Sequence, residues 1–254
     1  MSIIIKTPQE LEHIREAGKR LGEVVFKVSQ KVAPGVTTNE LDDYAEQLIR
    51  DMGDKPAFKN YQPEGASYPF PSTLCISVND QIVHGIASDY ALKAGDIVTI
   101  DCGMSHHGVF TDHAVTVPVG NISDEAQKLL NDTRESLRIA IEKAHVGNHI
   151  GDIGAAVQKF VAGRYGIVKG LAGHGVGRYI HEDPYIPNYG KAGTGAELKP
   201  GMVIAIEPML TLGRDDFIVE DDDWTLSTSD GTLAAHFEHT VIITENGPEV
   251  VTQI

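Results

Sequence analysis

The stretch Lys93-Ala94-Gly95-Asp96-Ile97-Val98-Thr99-Ile100-Asp101 reads in step with Lys199-Pro200-Gly201-Met202-Val203-Ile204-Ala205-Ile206-Glu207, 106 positions further on. Each copy is a glycine turn, an apolar β-forming run and a terminal carboxylate, the pattern of a buried strand that ends in a charge. A second pair keeps the order: Asp112-His113-Ala114-Val115-Thr116-Val117 matches Glu238-His239-Thr240-Val241-Ile242-Ile243. Two helices are expected ahead of each strand set. Thr7-Pro8-Gln9-Glu10 is a capping box with proline at the first helical position, and Leu11, Ile14, Leu21, Val25, Val28 and Val32 follow at helical spacing. Thr37 and Glu40 open the next helix, through Leu41, Tyr44, Leu48 and Ile49 to a stop at Gly53. Downstream, Ser123 caps a helix through Leu130, Leu137 and Ile141, and Gly147 separates it from another reaching Phe160 and Val161. Residues 32–49 can be laid on 144–161 without gaps, and His84-Gly85 with His174-Gly175 makes a third candidate pair. Any one match is commonplace, but several in the same order predict a duplicated helix-plus-strand unit. The expectation is one α+β domain over 1–254 with two similar halves, helices on one face of a sheet and a site on the other.

Composition narrows the function. The 254 residues are 41% hydrophobic and 22% charged, ordinary for a folded globular chain. The formal charge of −15 repels a phosphate backbone, so nucleic acid is excluded as a specific partner. No 18-residue apolar run offers a membrane span, the start Met1-Ser2-Ile3-Ile4-Ile5-Lys6 is not a signal peptide, and two cysteines do not make a disulfide framework. A reducing cytoplasm is the expected location. The run Glu220-Asp221-Asp222-Asp223 reads as a solvated loop.

Asp101, Asp112, Glu207 and Glu238 each sit in or at the end of an apolar β run, where a carboxylate is costly unless paired, protonated or bound to a cation. Positions 94–113 and 200–213 contain no lysine or arginine, so cations are the simpler counter-charge. Four acids with an imidazole suit two divalent ions about 3.5–4 Å apart. The oxygen-rich donor set favours Mn, Fe(II), Co or a catalytic Zn over a structural zinc. The imidazole comes from Gly173-His174-Gly175-Val176-Gly177-Arg178-Tyr179-Ile180-His181-Glu182-Asp183-Pro184, where glycines allow close backbone approach and two histidines are presented seven residues apart. Strand alternation turns His113 and His239 away from the acids, as packing or surface residues. His106 and His107 read as exposed residues of the turn Ser105-His106-His107-Gly108.

At these residues, together with Ser77-Val78-Asn79, His84-Gly85-Ile86, Glu207-Pro208 and Glu238-His239-Thr240, the sequence resembles the bacterial-type, type I methionine aminopeptidase family along nearly its whole length. The resemblance implies the duplicated "pita-bread" fold, an antiparallel sheet with helices on one face and a dinuclear metal site on the other. It implies that Asp101 and Asp112 bind one ion, that Asp112, His174 and Glu207 serve the second, and that Glu238 bridges. Glu207 would also shuttle the proton of the attacking water. His84 would contact the scissile amide nitrogen and His181 the carbonyl oxygen as it becomes an oxyanion. Phe58, Tyr61, Phe70, Cys75 and Trp224 stand at the positions of the methionine pocket. The implied substrates are methionyl peptides and nascent chains with a small second residue, handled by a monomer in transient contact with the ribosome. Two features depart from the family: the 62–69 stretch is long, and Ile180 stands where an aromatic is usual. The alternatives are an aminopeptidase P or prolidase, which ordinarily carries an additional N-terminal domain, and a non-catalytic peptide reader on the same fold.

Overall fold

The computed structural model describes residues 2–253. Helices α1 (Pro8–Ser29) and α2 (Thr38–Asp51) come first, then strands β1 (Lys55–Pro56), β2 (Leu74–Val78), β3 (Gln81–Val83), β4 (Ile97–His106) and β5 (Val109–Pro118). Helices α3 (Asp124–Ile141) and α4 (Ile150–Val161) follow, then β6 (Gly166–Ile167), β7 (Ala172–Gly175), β8 (Glu182–Pro187), β9 (Val203–Ile206) and β10 (Met209–Thr211). The remaining strands are β11 (Phe217–Val219), β12 (Leu226–Thr228), β13 (Ala234–His236), β14 (Glu238–Thr244) and β15 (Gly247–Val250).

Both capping boxes form. Thr7 and Thr37 each accept a hydrogen bond from the backbone of the glutamate three residues on, which answers their own N–H groups with its carboxylate. Helix α1 ends at Ser29 rather than at Val32, because Pro34 disfavours helical geometry in the residue before it and the chain turns there. Ser123 caps α3, and Asp152 plays in α4 the part that Glu40 plays in α2, with His149 at the cap. The helix starts are tied to the strand starts alike in both halves. Gly35 N donates to Leu92 O and Gly147 N to Leu198 O, while Thr37 bridges Ala91 and His149 bridges Glu197.

The main sheet has nine strands, in the path β1-β4-β5-β14-β9-β7-β8, with β2 on β4 and β15 on β14. Each of these pairings is antiparallel, and β5 meets β14 where the halves join. Two small sheets, β13-β10-β6 and β11-β12-β3, flank it. Alternation along the strands sends Val98, Ile100 and Cys102 into a core with Leu21, Val25, Leu41 and Ile49 of the first helix pair. Their counterparts Ile204 and Ile206, with Val241 and Ile243, pack on Leu130, Leu137, Ile153 and Val157 of the second. Helices therefore cover one face in each half, and the acids are left to the other: this is the duplicated pita-bread architecture.

His106 departs from the sequence reading. It is buried as the last residue of β4, opposite Val109, with Nδ1 2.7 Å from Asp54 Oδ1. The reversal is made by His107 and Gly108 alone, both at positive φ as a two-residue hairpin turn requires, so β4 runs two residues further than expected, through Ser105 and His106. Alternation then turns His106 inward with Met104.

Candidate metal centre and active site

The four acids converge because small residues stand between them. Asp101 in β4 lies opposite Ala114 in β5, and Ala114 lies opposite Glu238 in β14, so the three side chains share a face with only a methyl group in the middle. His174 in β7 likewise lies opposite Ala205 in β9, two residues before Glu207, which follows the end of that strand. Asp112 is held by Thr240, whose hydroxyl accepts from Asp112 N at 2.9 Å and donates to Asp112 O at 2.8 Å across the seam. Asn188 Nδ2 donates to Glu207 O at 2.9 Å. Glycine is needed around His174: a Cβ on Gly173 would lie 2.3 Å from Ala205 O and one on Gly175 2.2 Å from Asp183 O.

Candidate ligand atoms lie within 4.8 Å of one another in three groups: Asp101 with Asp112 and Glu238; His174 with Glu207 and Glu238; and Asp112 with His174 and His181. Glu238 belongs to the first two groups, His174 to the second and third, and Asp112 to the first and third, so the three groups form one continuous cluster. His174 Nδ1 is 2.9 Å from Gly175 O, which fixes the proton on Nδ1 and leaves the Nε2 lone pair 3.6 Å from Glu207 Oε1 and 3.9 Å from Asp112 Oδ2. Burial first, and then the neighbouring charges, push Asp101, Glu207 and Glu238 well above the ordinary carboxylate range. Burial raises Asp112 to about 7, against the hydrogen bond from His113 N, and lowers His174 to about 3. Asp101 Oδ1 and Glu238 Oε1 are buried with no hydrogen-bond partner. Four acids, neutral imidazoles, unanswered oxygens and no lysine or arginine in the lining suit divalent cations of the Mn-to-Zn series.

The centre forms the floor of a cavity of about 360 Å³ whose walls include Phe58, Tyr61, Phe70, Cys75, His84, His181 and Trp224. Every site residue expected from the sequence is brought here. His84 sits in the left-handed region at φ 59°, next to Gly85, where a Cβ would lie 2.3 Å from Ile76 O. Burial lowers its pKa to about 4, so the ring is neutral. His181 stands at the exposed rim, Nδ1 3.0 Å from Tyr61 Oη. Trp224 meets Phe70 edge-on at 5.2 Å and Tyr68 at 6.3 Å. The acidic run at 220–223 does more than solvate: Asp222 Oδ1 accepts from Trp224 N and Thr225 N, shaping the turn that carries the indole. His113 and His239 stack at 4.7 Å away from the acids, as packing residues. His236 goes unmarked in the sequence reading. It is fully buried in this lining, Nε2 3.5 Å from Glu207 Oε2 and 3.9 Å from Glu238 Oε2. The signal for it was available, since it stands two residues before Glu238 and alternation gives both one face.

Fold and site together define a metallohydrolase of the duplicated pita-bread class. The sequence model of metallopeptidase family M24 matches residues 12–245. Methionine aminopeptidase from Clostridium perfringens strain 13 is 48% identical over 253 residues, 99% of each chain. Methionine aminopeptidase 1 of Bacillus subtilis strain 168 is 44% identical over 253 residues, 99% of this chain and all of the relative. The crystal structure of methionine aminopeptidase from Thermotoga maritima superposes with a TM-score of 0.95 at 39% identity, covering 100% of both chains. The chain belongs to metallopeptidase family M24 and, within it, to the methionine aminopeptidases.

Proposed function

We propose that the chain removes the N-terminal methionine of peptides and nascent proteins, preferring a small second residue, and that it works as one catalytic domain in the cytoplasm. The observation that carries this reading is the meeting of Asp101, Asp112, His174, Glu207 and Glu238 on the floor of an apolar-walled cavity. Among the described residues no helix is long and apolar enough to cross a membrane.

Asp101 and Asp112 would hold one divalent cation and Asp112, His174 and Glu207 a second, with Glu238 between them. When bound, such ions acidify water and polarise a carbonyl. Phe58, Phe70, Cys75 and Trp224 receive the methionine side chain, whose soft thioether suits an aromatic and sulfur-lined wall. Tyr61 orients His181, which donates to the carbonyl oxygen as charge develops on it. Glu207 takes the proton of the attacking water and returns it to the departing nitrogen, where neutral His84 hydrogen-bonds. The peptide C–N bond breaks, hydroxyl adds to the carbonyl carbon, and free methionine leaves the shortened amine.

The test is hydrolysis of Met-Ala-Ser by chelated protein resupplied with Mn, Fe(II), Co or Zn, beside an X-Pro peptide. Cleavage of the first alone is expected, together with a Glu207→Gln variant that binds metal but does not turn over. Cleavage beside proline would assign a prolidase, and cleavage of neither a peptide reader.

A further inference from the structure

A buried histidine of an ordinary core has at least one ring nitrogen hydrogen-bonded. His236 is 1% exposed, and neither Nδ1 nor Nε2 has a hydrogen-bond partner. Its backbone, in contrast, is fixed twice: His236 N donates to Thr116 Oγ1 at 2.9 Å, and the same hydroxyl donates to His236 O at 2.8 Å. Phe237 points the other way, into the core under α3, so His236 and Glu238 face the site together. The ring thus has a set place and an unspent donor. What it faces is specific. Glu207 Oε1 looks toward His174 Nε2 at 3.6 Å, and Glu207 Oε2 toward His236 Nε2 at 3.5 Å, so the carboxylate is bracketed by an imidazole on each oxygen. Glu238 Oε2 lies 3.9 Å from the same Nε2.

We propose that His236 is a positioning residue for the metal centre: its Nε2–H reaches toward Glu207 Oε2 and Glu238 Oε2 and holds both carboxylates in the orientation in which they meet the cations. Groups that orient ligands in this way set metal affinity as well as rate. The proposal rests on the metal-centre reading given above.

The test is calorimetric titration of metal-free protein with Co(II), together with the visible spectrum of the loaded protein. His236→Leu removes the donor. His236→Asn stays polar but is too short to present a donor where Nε2 stands. His236→Gln offers an amide N–H near the Nε2 position. Loss of roughly 10- to 100-fold in Co(II) affinity is expected for Leu and Asn, with an altered spectrum, and recovery of most of that loss for Gln. Urea midpoints of the metal-free variants separate this from misfolding, and Asn carries the test where Leu does not fold. Wild-type affinity and spectrum in both loss variants would overturn the proposal, as would equal losses in Asn and Gln. Wild-type protein that takes up no Co(II), or an Asp112→Asn variant that binds it as well as wild type, would instead overturn the metal-centre reading itself.

Discussion

Lys6 and Glu182 form an ion pair at 2.5 Å with both side chains 2% exposed, directly beside His181. Glu182 Oε1 also accepts from Arg178 N at 2.5 Å and Tyr179 N at 3.0 Å, so one carboxylate closes the loop that presents the rim histidine. The lysine stem fills the space beside Gly177, where a Cβ would lie 2.4 Å from Lys6 Cε. Burial pushes the Lys6 ammonium below its ordinary pKa, opposed by the hydrogen bond and charge of Glu182. Lys6→Met keeps the stem and leaves Glu182 as a buried anion. Removing one partner of such a pair costs about 3–5 kcal/mol, and the two surviving backbone donors place this case near the low end, at about 3 kcal/mol. For a chain of this size that is a fall of roughly 6–12 °C in melting temperature. Lys6→Met with Glu182→Gln removes the stranded charge while the amide oxygen still accepts from both N–H groups, so the double variant should recover more than half of the loss. Thermal and urea unfolding followed by circular dichroism, at one fixed Mn concentration, measures both. Steady-state kinetics on Met-Ala-Ser should show kcat falling more than KM rises, because the loop, not the methionine pocket, is loosened. A Lys6→Met protein within about 0.5 kcal/mol of wild type, or a double variant whose costs simply add, would refute this account.

Three further outcomes are expected. Ala114→Leu fills the gap between Asp101 and Glu238, so metal uptake in equilibrium dialysis should be lost while overpacking costs only ~1–3 kcal/mol; undiminished uptake would show that the ions sit elsewhere. Asp42 accepts from Leu74 N at 2.7 Å inside the core of the first helix pair, where burial pushes its pKa up to about 6. An acid whose folded pKa exceeds its unfolded value, about 4, binds protons more tightly in the native state, so stability falls as pH rises from 4 to 6, by up to about 3 kcal/mol. In Asp42→Asn that decline should vanish from the urea midpoints, and an unchanged slope would assign it to other groups. Tyr68 donates to Asp222 O at 2.5 Å, and Ser67 Oγ to Asp223 Oδ2 at 3.0 Å, so the long 62–69 stretch clasps the turn carrying Trp224. Tyr68→Ala should cost roughly 1–2 kcal/mol of methionine binding, about 5- to 30-fold in KM, with Tyr68→Phe between; equal KM values would detach that stretch from specificity.

How much of this could be read from the sequence depended on whether the information was local. The capping boxes at Thr7 and Thr37 are local, because a hydroxyl and a carboxylate three residues apart satisfy each other within one turn. The four acids were legible because a charge inside an apolar strand demands an explanation, and the repeat paired Asp101 with Glu207 and Asp112 with Glu238. His236 has no such contrast: it sits in Ala234-Ala235-His236-Phe237, where an imidazole passes for packing. For His106 the sequence allows a turn of two residues or four, and only the left-handed pair His107-Gly108 decides that it belongs to the strand. The clasp of Tyr68 on Asp222 joins residues 154 apart in the chain, a contact no local pattern announces.

The seam between β5 and β14 divides the proposed ligands by order of synthesis. Asp101 and Asp112 are made with the first half, His174, Glu207 and Glu238 with the second. A growing chain therefore carries its first two acids with no cage to close around them, and a fragment ending before residue 200 should take up Co(II) far more weakly than the whole chain in calorimetry. On the proposed ligand set, metal loading would report completeness, because the cage closes only once Glu238 has been laid beside Asp101 and Asp112.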